Sequence, residues 1–87
     1  MNKYHKNLSD KEIKLFEKLA DIEHQRWSDW MKYLLDQCET DEFNNTIIPL
    51  DKVEKWIGQI SREYEELFEY EKDSDREQVE RYWNLIK

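Results

Sequence analysis

Eighty-seven residues suffice for one domain with one core at most, since a chain this short buries only about 60% of its unfolded surface. A formal net charge of −7 excludes generic affinity for a DNA or RNA duplex, which comes from clustered Lys and Arg displacing counterions. The single cysteine, Cys38, has no partner for an internal disulfide and no Cys/His pattern around it, so the chain reads as cytoplasmic and free of structural zinc. No apolar run approaches a membrane span, and the opening MNKYHKNLSD lacks the apolar stretch of a signal peptide.

With aliphatic side chains few, four Trp, five Tyr and three Phe supply the large apolar areas, and the expected core is aromatic. Small scaffolds without disulfide or metal staples are marginal alone, so a homo-oligomer that buries further apolar surface is a reasonable expectation. One Gly and one Pro leave little material for tight turns, and Glu, Lys, Leu, Gln and Arg favour helix throughout. The predicted fold is all-α: a small bundle of one long N-terminal helix, a shorter middle helix and a C-terminal helix.

Residues 1–8 form a flexible, mildly basic arm carrying Lys3, His5 and Lys6, and residues 9–87 a single helical domain. Ser9 and Glu12 make an S-x-x-E capping box that starts the first helix. Its apolar positions run Ile13, Phe16, Ala20, Trp27, Met31, Leu34 and Cys38, with Leu19, Trp30 and Leu35 beside them, a spacing of three and four that defines one long stripe. Glu39 to Ile48 is polar, contains Asn44-Asn45 and reads as a loop closed by Pro49. Leu50, Val53, Trp56, Ile57 and Ile60 then follow at helical spacing. Glu63 to Glu71 fits either a continued helix or a tight turn. Val79, Tyr82, Trp83 and Ile86 form the stripe of the last helix, and a second S-x-x-E box, Ser74 with Glu77, offers one start for it.

The stripes are interrupted in two places. Glu23 and His24 flank the seam of the first helix between Ala20 and Trp27, and extending the last stripe backward from Val79 reaches Arg76, Asp75 and Lys72. Ionisable groups aimed at a small core are costly unless paired or solvated. They therefore meet each other, a water-filled pocket or a ligand. Trp27 and Trp30 lie close to His24 along the helix, and aromatic planes beside cationic donors suit a purine attached to phosphate. The competing reading is an internal ion-pair network, Glu23 or Asp75 with Arg76, around aromatic core filling. The ligand reading requires the imidazole of His24 and the guanidinium of Arg76 to converge on one cavity.

Catalysis finds little support in the inventory. There is no Gly-rich phosphate loop, no nucleophile beside a base in a recognisable motif and no two-His metal spacing, so neither an enzyme, a metal site nor a cofactor is expected.

The stretch LADIEHQRWSDWMKYL, Leu19 to Leu34, resembles the helix of ryanodine-receptor repeat (RyR-type) domains that carries H-x-x-W, here His24 and Trp27. YEELFEYEKDSDREQVERYWNLI, Tyr64 to Ile86, is similar to that family's Y-x-x-L turn followed by an acidic, Lys-containing segment and an Asp-Arg pair, here Tyr64, Leu67, Lys72, Asp75 and Arg76. The chain departs from the receptor version in lacking the Gly-Trp segment after the first helix and in placing Phe68 where a Ser-like cap is usual. The resemblance implies a small stand-alone bacterial or phage form that acts in the cytoplasm, the host's if phage-encoded. Such a form would bind a nucleotide-derived signal of antiviral defence, a cyclic oligonucleotide or an ADP-ribose derivative, as a sponge. The expected ligand set is His24, Trp27, Trp30, Tyr64, Lys72, Asp75 and Arg76, with the two Trp stacking on the base, Arg76, Lys72 and His24 at phosphate, and Asp75 orienting Arg76. The alternative is a structural or protein-interaction module with no small-molecule ligand.

Overall fold

A computed structural model describes residues 2–87. Three helices carry the chain, α1 over Asp10–Asp36, α2 over Leu50–Ile60 and α3 over Glu69–Ile86, with a two-stranded hairpin between the first two. The fold is a small all-α bundle of three helices. The hairpin is the departure from the loop predicted at Glu39 to Ile48. Strand β1, Glu39–Thr40, pairs antiparallel with β2, Thr46–Ile47, in the register Glu39 to Ile47 and Thr40 to Thr46.

Its turn is built by Asp41 and Asn44. The Asp41 carboxylate accepts the backbone N–H groups of Phe43 and Asn45, both at 2.8 Å. Asn44 takes a φ of 64°, a left-handed conformation that Asn tolerates better than most residues. Local side-chain bonds to the backbone thus supply a corner that the single glycine could not.

The start of α1 agrees with the predicted box. Ser9 Oγ accepts the Glu12 N–H at 3.1 Å, and Glu12 returns a carboxylate oxygen to the Ser9 N–H at 2.9 Å. Two N–H groups that the helix cannot satisfy internally are thereby closed off. Where the sequence predicts a flexible arm, Lys3–His5 forms a turn of 3-10 helix folded back on α1. Met1, the arm's first residue, lies outside the described residues. Tyr4 stacks on Phe16 with ring centres 6.2 Å apart, and His5 sits edge-on to the same ring and 3.0 Å from Glu17. Covering Phe16 is what holds this turn in place.

Between α2 and α3 the ambiguous segment resolves into a 3-10 turn, Tyr64–Glu66, and α3 then starts at Glu69, well before the Ser74 box. Ser74 is a mid-helix residue. At the start of α3 only the return half of a capping box is present: Glu71 Oε1 accepts the Phe68 N–H at 3.0 Å, and the Glu71 N–H goes to the Phe68 carbonyl at 2.9 Å, since Phe68 has no side-chain acceptor. Because the helix already exists at 72–76, Lys72, Asp75 and Arg76 do lie on α3.

The expected aromatic core does not close within one copy. Among the described residues no apolar side chain is buried, and Glu71, 7% exposed, is the single buried residue. The radius of gyration is 17.7 Å, against about 12 Å for a compact chain of this length. α1 meets α3 along a narrow seam, α2 is tied to them through Gln59 with Glu71 and Trp56 with Trp30, and an open trough is left between them.

Candidate functional site

That trough is a cleft of about 740 Å³ to which all three helices contribute. From α1 come Arg26, Asp29, Trp30 and Tyr33. Lys55, Trp56, Gln59 and Ile60 face it from α2, and Tyr70, Glu71, Ser74, Asp75 and Gln78 from α3, with Leu67 ahead of that helix.

Three rings form its aromatic wall. Trp30 and Tyr33, three residues apart on α1, stack with centres 5.4 Å apart. Trp56 of α2 meets Trp30 edge-on at 5.7 Å and Tyr33 at 6.5 Å. Edge-to-face and offset arrangements at these separations are the ones the ring quadrupoles favour. Trp30 itself remains 46% exposed.

Polar groups ring the same space. Glu71 Oε2 accepts the Gln59 side-chain N–H at 2.7 Å, tying α2 to α3, and Arg62 stands 3.6 Å from Oε1. The Phe68 N–H first, then the Gln59 amide and the Arg62 and Lys55 charges, hold the Glu71 carboxyl below the usual carboxylate range against the opposing effect of burial. Arg81 donates to Asp29 at 2.7 Å and ties α3 to α1. That bond is also the main reason the Asp29 carboxyl is held low. Gln78 Oε1 is buried with no hydrogen-bond partner. An unsatisfied buried acceptor costs about 1 to 3 kcal/mol, which a turn of the amide, a water or a ligand donor would relieve.

The seven residues predicted from sequence divide into three groups. Trp30 and Asp75 line the cleft. Tyr64, Lys72 and Arg76 gather instead around Glu69 at the start of α3. Arg76 donates to Glu69 and Asp73, both at 2.9 Å. Lys72 lies 3.6 Å from Glu69 and 5.6 Å from the centre of the Tyr64 ring. His24 and Trp27 stack on each other, centres 6.3 Å apart, on an exposed part of α1.

The convergence expected of His24 and Arg76 on one cavity is therefore absent, since neither lines the cleft. The reason is electrostatic. Arg76 satisfies its guanidinium on carboxylates three and seven residues back, and Glu69 above all, then Asp73, raise its pKa above the ordinary value. Glu23 likewise pairs with Arg26 at 2.8 Å rather than across helices. Asp75 does not orient Arg76; Asp73 does.

Sequence reading missed Tyr33, Trp56, Gln59 and Gln78 as cleft residues. The i, i+3 repeat of Trp30 and Tyr33 was a usable signal, because two large rings at that spacing share one helix face. Nothing in the spacing of Gln59 or Gln78 distinguishes them from solvent-facing amides.

Among the described residues no group of three or more His, Cys, Asp or Glu is arranged to hold a metal ion. No described helix is long and apolar enough to cross a membrane. The fold and cleft together define a small three-helix protein with an open, aromatic-walled trough. Compared with protein-family models, curated proteins and solved structures, the chain matches none.

Proposed function

We propose that this protein binds a small nucleotide-type ligand without transforming it, in the trough walled by Trp30, Tyr33 and Trp56. The observation that carries the reading is the pairing of an open aromatic wall with the buried, unpartnered acceptor Gln78 Oε1. A base stacks on aromatic side chains, and an exocyclic amine donates to a lone amide oxygen. Lys55 stands on the same lining and supplies positive charge for phosphate, while Arg26, also on the lining, is already paired with Glu23. Asp29 and Asp75 share that lining and disfavour an anion placed beside them, so the phosphate belongs with Lys55 of α2.

The ligand class tested is the one the resemblance to RyR-type domains implies, a cyclic oligonucleotide or an ADP-ribose derivative, but His24 and Arg76, which carry that resemblance, stand outside the trough, so the support for this site comes from its own rings and Lys55. On this view the chain is a cytoplasmic sponge that removes a defence signal by holding it. Isothermal titration against cyclic dinucleotides, cyclic trinucleotides and ADP-ribose derivatives tests it. Heat with one class, abolished by Trp30→Ala and Gln78→Leu, supports the proposal; no heat with any of them removes it.

A second reading, an interaction module with no small-molecule ligand, is favoured by the apolar stripes left exposed on all three helices. It predicts an unresponsive titration together with a protein partner.

A further inference from the structure

Each helix carries an apolar stripe at three-and-four spacing, the pattern of a face meant for burial, and one copy of the chain does not cover them. Trp27 and Trp30 on α1, Ile57 and Ile60 on α2, and Trp83 and Ile86 on α3 are between 46% and 82% exposed. The chain presents 7688 Å² to solvent. A compact monomer of 10.9 kDa presents roughly 5,600 Å², so the excess is about 2,100 Å². Standard interfaces take about 800 Å² from each partner and obligate ones more, so the uncovered area is of the size an obligate assembly removes.

We infer that the native form of this protein is a homo-oligomer, a dimer or larger, in which a second copy covers the exposed stripes and forms the missing wall of the trough. Ile60 belongs both to the stripes and to the trough lining, so a copy seated on it also closes the trough. The inference does not depend on what the trough holds.

Two observations select a second copy over another protein. A chain with no buried apolar side chain among its described residues gains too little from its own contacts to offset the entropy of ordering its helices. Its cover must be present as it folds, and its own copies are the partner present wherever it is made. The charge is also divided in a self-complementary way. Five lysines against Asp10, Glu12 and Glu17 leave residues 1–20 at net +2, while nine cations against eighteen carboxylates leave residues 21–87 at net −9. Association can therefore set the basic segment of one copy in the acidic field of another, which offsets the repulsion between two chains of −7.

Sedimentation equilibrium and far-UV circular dichroism, followed together from about 1 to about 100 μM, test this directly, because a fold completed by association loses structure on dilution. The expected result is a mass that is a whole multiple of 10.9 kDa, with any fall toward 10.9 kDa accompanied by loss of helix. Ile57→Asp with Trp83→Asp moves dissociation to at least roughly tenfold higher concentration. Because that double variant can fail to fold, the dilution series of the native chain carries the test. A fully helical 10.9 kDa species at every concentration overturns the inference. So does an unstructured monomer that gains helix only when a different protein is added.

Discussion

Asp29 and Arg81, 52 residues apart in sequence and 2.7 Å apart in space, form the ion pair that joins α1 to α3, and among the described residues no other ion pair links these helices. Around it the helices share few enclosed contacts, so orientation here depends on polar bonds more than in a chain with a filled core. Arg81→Asp and Asp29→Arg are each expected to lower the melting temperature, and the two together, which exchange the charges, to recover part of the loss. Thermal unfolding of the four members of this cycle measures the coupling.

The α1 cap can be removed without disturbing the trough. Ser9→Ala leaves the Glu12 N–H without its oxygen, and the expected cost is about 1 kcal/mol, read as a shift of the urea midpoint at unchanged slope. A Ser9→Asp variant retains an acceptor at the same place and should lose little.

The trough and the Arg76 cluster should respond oppositely to substitution. Trp56→Ala strips a ring from the aromatic wall, with an expected loss of roughly 1 to 2 kcal/mol in stability and at least about tenfold in affinity for a stacking ligand. Arg76→Ala breaks bonds within the first turns of α3 and should reduce stability while leaving ligand affinity unchanged. Titration calorimetry on both variants separates the two positions. Loss of affinity in Arg76→Ala with Trp56→Ala unaffected would return the ligand to the Glu69 cluster.

Acid should weaken the fold through its hydrogen-bonded carboxylates. Glu12, Asp29, Asp41, Glu69 and Glu71 all lie below their ordinary values in the folded chain. A lowered folded pKa gives stability that is complete above the unfolded carboxylate range, near pH 4, and is lost as pH falls through the lower folded values. Helix content followed from pH 7 downward should therefore hold to about pH 4 and fall below it. Glu71→Gln removes the charge that caps α3 and faces Arg62, so this variant should be less stable at neutral pH and lose less on acidification.

Much of the local structure was legible in the sequence because its causes are local. The Ser9 and Glu12 box, the three-and-four stripes and Pro49 before α2 each act within a few residues, and the structure has helices in those places. The start of α3 was less legible. Its cap comes from a first-turn Glu71 binding the Phe68 N–H, with no Ser, Thr, Asp or Asn at the capping position to announce it. The hairpin was hidden for a similar reason, since Asp41 makes the turn through bonds to Phe43 and Asn45 rather than through a glycine.

The chemistry of the last helix depended on a choice the spacing left open. Lys72, Asp75 and Arg76 share a face with Val79, yet a guanidinium reaches about as far along its own helix as across to a neighbour, and Glu69 and Asp73 were within that reach. The trough is a tertiary product altogether. Trp30, Trp56 and Gln78 come from three helices whose approach is set by Gln59 with Glu71 and by Asp29 with Arg81. Sequence alone determined the helices and which of their faces are apolar, because hydrogen bonding and side-chain periodicity along one helix are short-range. Only the tertiary structure decided which charges pair, where the rings meet and how much apolar surface one copy leaves uncovered, because those depend on distances between residues far apart in the chain.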